Sequence, residues 1–346
     1  MALASARRLR TALLLAAGLL VAGTSAALYE VPALSGGVTA ATTASADGRV
    51  TTLTGRRSPF DPLGLTTPAA TPAGSAAVRP GAVTETAGAG LCTSSFVFTS
   101  GEKVLLGQAA HCGGTGADTE TDGCTSSTVP TGTPVTVRGN GETVTGTMVY
   151  SSWTTMQRRG ETDPDTCAYN DLALVELPPD AAARTNPSVP FFGGPGGVHD
   201  GGLEPGAAVF GLANPEGPPE RSAGGTGMSA GDRTLRPRAG TGGEDVGGGW
   251  GHTVYTVTRG VPGESGAPLL DEAGRAVGLL SSLNVGGERE SIEYTDLAKA
   301  LDYARRNGGL PDLALAAGTE PFTPAPAGVA PTDLAPPAGP PVAAGN

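Results

Sequence analysis

From residue 91 onward the apolar residues come in short runs, separated by turns of Gly, Asp, Asn and Pro. Runs at 94–98, 103–106, 135–138, 144–150, 172–177, 207–210, 252–257, 267–270 and 277–281 have the length and side-chain character of strands. Many short strands joined by polar turns predict an all-β sandwich or barrel. Glu272-Ala273-Gly274-Arg275 lies between two apolar runs and reads as a hairpin loop. One helix is predicted, at 295–306. There Leu297, Ala298, Leu301 and Ala304 recur at helical spacing, and Asn307-Gly308 stops the pattern.

The flanks have a different texture. Arg7, Arg8 and Arg10 precede an apolar run at 13–21 and then Gly23-Thr24-Ser25-Ala26-Ala27. A basic start, an apolar stretch and small residues predict a secretory signal peptide at 1–27, and hence a secreted, extracellular protein. The competing reading is a membrane anchor that is kept; no later run is long enough to cross a bilayer. Residues 28–88 are rich in Ala, Thr, Gly, Pro and Ser and read as a low-complexity propeptide or linker, with Arg56-Arg57 as a candidate processing site. Residues 89–310 form the expected domain. Residues 311–346 read as a Pro/Ala-rich disordered tail.

Charge and cysteine count narrow the classes. Against 33 acids the chain has 22 Lys and Arg, for a formal net charge of -11. With no cationic surplus to neutralise phosphates, nucleic acid is not an expected partner. Cys92, Cys112, Cys124 and Cys167 make an even set. In an oxidising compartment that predicts two disulfides, with three pairings open. No Cys-x-x-Cys occurs, which disfavours zinc and thioredoxin-like chemistry.

Three residues stand in settings suited to catalysis. His111 ends an apolar strand and precedes Cys112, so a disulfide would hold it rigidly, as a general base requires. Asp171 opens the apolar run Leu172-Ala173-Leu174-Val175. A buried carboxylate there needs hydrogen-bond donors, and an imidazole N–H is a suitable one. Ser265 lies in Gly263-Glu264-Ser265-Gly266-Ala267-Pro268, where a tight turn would expose its hydroxyl. The amides of Gly263 and Ser265 are candidates for an oxyanion hole. Each has an ordinary alternative: a structural histidine, a polar strand cap, a glycine turn. A lipase-type elbow needs Gly-x-Ser-x-Gly, but position 267 is alanine. His199 and His252 lack the setting of His111 and read as non-catalytic.

Together, Ala109-Ala110-His111-Cys112, Asn170-Asp171-Leu172-Ala173-Leu174 and Gly263-Glu264-Ser265-Gly266-Ala267-Pro268 resemble the trypsin/chymotrypsin family of serine proteases, in particular its secreted bacterial branch. Gly278-Leu279-Leu280-Ser281 and Tyr294-Thr295 extend the resemblance, which covers about residues 89–308. It implies two antiparallel six-stranded β-barrels with a C-terminal helix. It implies a serine endopeptidase acting on polypeptides as a monomer, without cofactor or metal. His111 would be the base, Asp171 its partner and Ser265 the nucleophile. The resemblance pairs Cys92 with Cys112 and, with that, Cys124 with Cys167. It makes the strand at 278–281 the one beside the substrate, with Ser281 supporting the acid.

The sequence departs from the family's pattern at several points. Glu264 stands where aspartate is usual, and the cation that pairs with it is not evident. No Ile-Val-Gly-Gly start occurs, and Val261 stands near an expected pocket cysteine. Arg259 falls near the pocket base, where it would repel Lys or Arg side chains, and Leu283 would narrow the pocket. These departures keep open an alternative: a catalytically weak protease-fold module that binds peptides or proteins.

Overall fold

The structure, a computed structural model, describes residues 42–44, 50–52, 71–117, 120–213, 235–284, 290–329 and 334. The leader at 1–27, Arg56-Arg57 and the end of the tail lie outside the described residues. The chain divides into two units, Met1–Leu65 and Thr66–Asn346. In the first, β1 (Thr42–Ala44) pairs antiparallel with β2 (Val50–Thr52).

The second unit opens with β3 (Val83–Thr86), β4 (Leu91–Thr93), β5 (Val97–Ser100), β6 (Lys103–Ala109), β7 (Pro134–Gly139) and β8 (Glu142–Ser151). Helices α1 (Ser152–Arg159) and α2 (Pro164–Tyr169) follow, then β9 (Leu172–Glu176) and α3 (Pro179–Ala182). After them come β10 (Ala208–Ala213), β11 (Arg236–Val246), β12 (Gly251–Thr256), β13 (Pro268–Asp271), β14 (Ala276–Asn284) and β15 (Ser291–Asp296). The unit ends with α4 (Leu297–Asn307) and β16 (Ala314–Leu315).

These strands do not make two six-stranded barrels. The later strands close into one barrel, in the order β10-β11-β12-β15-β14-β13. The earlier ones form an open eight-stranded sheet, in the order β16-β5-β6-β9-β8-β7-β3-β4. Pairing at the edges accounts for the difference. The β3–β4 hairpin covers one side through β7, with Thr84 opposite both Cys92 and Val137. On the other side β16, from beyond α4, adds to β5 with Leu315 opposite Phe98. Covering an edge removes a row of unpaired backbone groups. Helices α1, α2 and α3 also go beyond the single helix the periodicity predicts. Two of them carry local signals: Gly160 caps α1 with φ +67°, and Asp163 accepts from the Thr166 amide at the start of α2.

The central strands place the core. On β9, Leu172 and Leu174 join one buried cluster while Ala173 and Val175 join another. Strand side chains alternate faces, so a strand buried on both sides reads as an unbroken apolar run. The Leu172 cluster also takes Phe210, Leu212, Leu270 and Leu279 from the closed barrel, so one core joins the sheet to the barrel. A third cluster, including Val254, Leu269, Val277, Leu280 and Ile292, fills the barrel.

Cys92 is bonded to Cys112, and Cys124 to Cys167. The second bridge closes a span of 43 residues, for which loop-closure entropy gives about 4 kcal/mol.

Candidate active site

Register brings His111 and Asp171 together. β6 and β9 run antiparallel, with Ala109 opposite Leu172. The residue just past the end of β6 therefore lies beside the residue just before β9. His111 stands in a 3-10 turn, Ala110–Gly113, that leaves β6. The Ala110 amide donates to the Asp171 carbonyl at 3.0 Å. The Asp171 carboxylate then holds His111 twice. Oδ1 accepts from the backbone amide at 2.8 Å, and Oδ2 lies 2.6 Å from Nδ1. A carboxylate only accepts, so Nδ1 carries the hydrogen and the neutral ring keeps its lone pair on Nε2. Asp171 is buried while the His111 ring is 27% exposed, so the pair is supported from inside and reachable from outside.

The segment around Asp171 is fixed from two directions. Ser152, the first residue of α1, donates from Oγ to the Asn170 carbonyl at 2.7 Å and accepts from the Leu172 amide at 3.2 Å. From the barrel, Thr295 Oγ1 donates to the Tyr169 carbonyl at 2.8 Å.

Strand β4 ties His111 to the Ser265 turn through adjacent residues. Cys92 is bonded to Cys112, next to His111. Thr93 donates from its amide to the Ser265 carbonyl at 2.9 Å and from Oγ1 to the Gly263 carbonyl at 2.8 Å. The turn packs directly on the end of β6. A Cβ on Gly266 would overlap the Thr93 carbonyl and crowd the Ala109 amide, and its φ is +90°. Glycine is required there on both counts.

Two consecutive turns present Ser265. The Glu264 amide donates to the Val261 carbonyl at 3.2 Å, with Pro262 second and Gly263 third at φ +94°. That is the residue order of a type II turn. Next, the Ala267 amide donates to the Glu264 carbonyl at 2.9 Å, with Gly266 third. Ser265 falls second in this turn and is half-buried.

Glu264 points inward, and its cation is Arg238 on β11. Nη2 of Arg238 donates to Glu264 Oε2 at 2.7 Å, and both side chains are at most 2% exposed. The same nitrogen donates to the Arg259 carbonyl at 3.0 Å, and Oε2 also accepts from the Val261 amide at 3.2 Å. One buried ion pair thus gathers residues 259–264. Sequence parity gives no signal for Arg238: Arg236 is exposed on the same strand, and its i+2 neighbour would share that face in a regular strand. Here the alternation breaks early in β11, and Arg238 is buried.

The remaining predicted residues are placed as follows. Ser281 donates from Oγ to the Glu293 carbonyl on β15 at 3.1 Å, so its single hydrogen is engaged away from Asp171. Beside it, Leu280 bonds the Ser265 turn through the Gly266 amide (2.6 Å) and the Ala267 carbonyl (2.9 Å). The Arg259 side chain is 71% exposed and pairs with Glu290. Leu283 lies against Gly260.

The other two histidines also meet carboxylates. His199 Nδ1 lies 2.9 Å from Asp271 Oδ2, and Arg275 Nε donates to that oxygen at 2.7 Å. Burial opposes the Asp271 charge. Hydrogen bonds from the Arg275 amide, His199 and the Arg275 guanidinium outweigh it, and the Asp271 pKa falls below its ordinary value. His252 is 1% exposed, with Nδ1 2.6 Å from Asp245 and Nε2 2.8 Å from Asp296. Two ionised carboxylates need both ring nitrogens protonated. Burial disfavours that cation, yet the hydrogen bonds and charges of Asp296 and Asp245 prevail and raise the His252 pKa above 6.5.

A raised folded-state pKa stabilises fully below about pH 6.5, and this contribution is lost as pH rises through the folded value. His252→Gln is therefore expected to lower stability by about 3 kcal/mol near pH 6. The gap between wild type and variant should narrow as pH rises, in thermal melts taken across that range.

Among the described residues, two groups of side chains have metal-ligand character: Cys92 with His111 and Cys112, and Asp122 with Cys124 and Cys167. All four cysteines are in disulfides, so neither group offers a thiolate.

No protein-family model matches the sequence, and no curated protein matches it. Among solved structures the chain is similar to Protease A of Thermobifida fusca at 19% identity and a TM-score of 0.40, over 70% of this chain and 100% of that one. It is similar to a Glu endopeptidase at 14% identity and a TM-score of 0.42, over 70% and 95%. The Rv3671c protease of M. tuberculosis follows at 16% and 0.38, over 70% and 84%. Each of these is a distant likeness, at 19% identity or less, to a solved structure of a protease or endopeptidase.

Proposed function

We propose that this protein is a secreted serine endopeptidase that cleaves polypeptides through His111, Asp171 and Ser265. The observation that carries the reading is the shared anchoring of its parts. Asp171 grips His111 by both oxygens, and Cys92-Thr93 binds the chain next to His111 and the Ser265 turn alike. Two disulfides fit an oxidising compartment. Residues 1–27 would direct export, and no described helix is long and apolar enough to cross a membrane.

The chemistry follows from the parts. Ser265 Oγ attacks the peptide carbonyl carbon while its proton passes to His111 Nε2. Asp171 stabilises the imidazolium through Nδ1–H and holds its orientation. The Gly263 and Ser265 amides bind the oxygen as it becomes negative. The C–N bond breaks, His111 returns the proton to the leaving amine, and an acyl–Ser265 ester remains. Water, deprotonated by His111, then releases the acid. Arg238 holds Glu264 inward, which keeps the two amides aimed.

The test is digestion of an unfolded protein substrate by purified, disulfide-intact protein, with cleavage sites mapped by mass spectrometry. Internal cleavages made by wild type and lost in Ser265→Ala support the reading. Binding without cleavage overturns it and favours a peptide-binding module.

A further inference from the structure

Helix α1 begins beside the strand that follows the acid. β8 and β9 run antiparallel, with Ser151 at the end of β8 opposite Ala173. One residue further on, Ser152 therefore reaches the level of Leu172, next to Asp171. Its hydroxyl turns to that segment rather than to its own helix, and the residue is fully buried.

The two bonds of this hydroxyl straddle the acid. The Asn170 carbonyl, which accepts from it at 2.7 Å, belongs to the peptide group before Asp171. The Leu172 amide, which donates to it at 3.2 Å, belongs to the peptide group after Asp171. A hydroxyl has one hydrogen and two lone pairs, so a single oxygen serves both. The second peptide group is held from its other end too, where the Ala110 amide donates to the Asp171 carbonyl at 3.0 Å. Asp171 engages both carboxylate oxygens on His111. A turn of its backbone that kept one of those bonds would lose the other.

Helix α1 is itself pinned to the loop beyond His111. Trp153 is 3% exposed, and its ring lies 6.4 Å from the His111 ring by centroids. A Cβ on Gly123 would overlap the Trp153 ring. Gln157 Nε2 donates to the Gly123 and Ser126 carbonyls, each at 2.9 Å. Cys124, which follows Gly123, is bonded to Cys167, shortly before Asp171. The hydroxyl of Ser152 is thus carried on a fixed support.

We infer that Ser152 is a positioning residue for the reaction: its hydroxyl sets the direction of Asp171 and, through Asp171, that of the His111 imidazole. This inference rests on the protease reading above. Misplacement by about 1 Å costs on the order of 10²-fold in rate. Ser152→Ala is therefore expected to lower kcat by about 10- to 100-fold with little change in KM.

The experiment is a double-mutant cycle. kcat and KM are measured for wild type, Ser152→Ala, Asp171→Asn and the double variant, on a quenched peptide built around a mapped cleavage site. Beside Asp171→Asn the direction of residue 171 no longer limits the rate, so adding Ser152→Ala should lower kcat by less than about threefold. Equal losses in both backgrounds would mean a structural role alone and overturn the inference, as would a kcat for Ser152→Ala within about threefold of wild type. Ser151→Ala is the control. It removes a hydroxyl that is equally buried but has no hydrogen-bond partner among the described residues, and it should leave kcat unchanged. A loss there as large as in Ser152→Ala also overturns the inference. Melting curves show which variants are folded at the assay temperature. If Ser152→Ala is not, Ser152→Cys takes its place, with a weak donor in nearly the same volume. Wild type that neither cleaves the peptide nor takes up a fluorophosphonate at Ser265 defeats the protease reading and this inference with it. Active wild type with equal losses in both backgrounds defeats this inference alone.

Discussion

Replacing Asp171 by asparagine is expected to lower kcat by about 10⁴-fold with little change in KM or melting temperature. The two contacts of the carboxylate explain why so small a change matters. Asp171 accepts from both the His111 amide and Nδ1. Asparagine has one acceptor atom and one donor atom. The backbone amide cannot change its hydrogen, so the asparagine oxygen must stay with it. The NH₂ group then faces Nδ1 and forces the ring hydrogen onto Nε2. That tautomer cannot take a proton from Ser265 at Nε2. The geometry survives and the base is lost, so circular dichroism and thermal melts should change little while kcat falls. Activity within tenfold of wild type would contradict the role given to Asp171.

The second large effect is expected at Arg238. Arg238→Met removes the buried cation that pairs with the Glu264 carboxylate, itself 1% exposed. Breaking a buried pair from one side costs about 3–5 kcal/mol, because a charge is left uncompensated. For a domain of this size that corresponds to a fall of roughly 10 °C in melting temperature. Activity should fall further than stability alone explains, because Arg238 also holds the Arg259 carbonyl and, through Glu264, the Val261 amide. The double variant Arg238→Met, Glu264→Gln separates the two effects. Removing both charges should recover most of the stability. Activity should stay low, since the turn still lacks its tether. Full recovery of activity in the double variant would mean that the pair serves stability alone.

Some of this architecture is legible in the sequence, for identifiable reasons. The strand at 172–177 could be read because burial on both faces leaves an unbroken apolar run. The helix at α4 could be read because its periodicity is clean. His111 stood out through the strand end before it and the cysteine after it. What the sequence hid depends on long-range pairing. β3 lies in a stretch whose composition reads as a linker, and β16 lies in one that reads as a tail. Each is held by neighbours distant in sequence rather than by its own propensity. Phe322 shows the same effect, lying 5.6 Å from Phe210 by ring centroids. The expectation of two six-stranded barrels failed for this reason: β3, which carries the edge strand β4, and β16, the opposite edge, come from segments with weak local signals. The partner of Glu264 was hidden likewise, since nothing near residue 264 points to Arg238.

Ser281 was expected to support Asp171, but its hydroxyl turns to Glu293. Ser152 and Thr295 hold that segment; Thr295 lies in the Tyr294-Thr295 match, and Ser152 lies in none of the matching motifs.

The central claim is that His111 activates Ser265, and one measurement meets it directly. Purified protein with both disulfides intact is incubated with a fluorophosphonate probe, then analysed whole and as peptides by mass spectrometry. The account predicts a single adduct on Ser265 that is absent in His111→Ala. A folded, fully processed protein that takes up no probe, or an adduct on Ser265 that persists without His111, would contradict it.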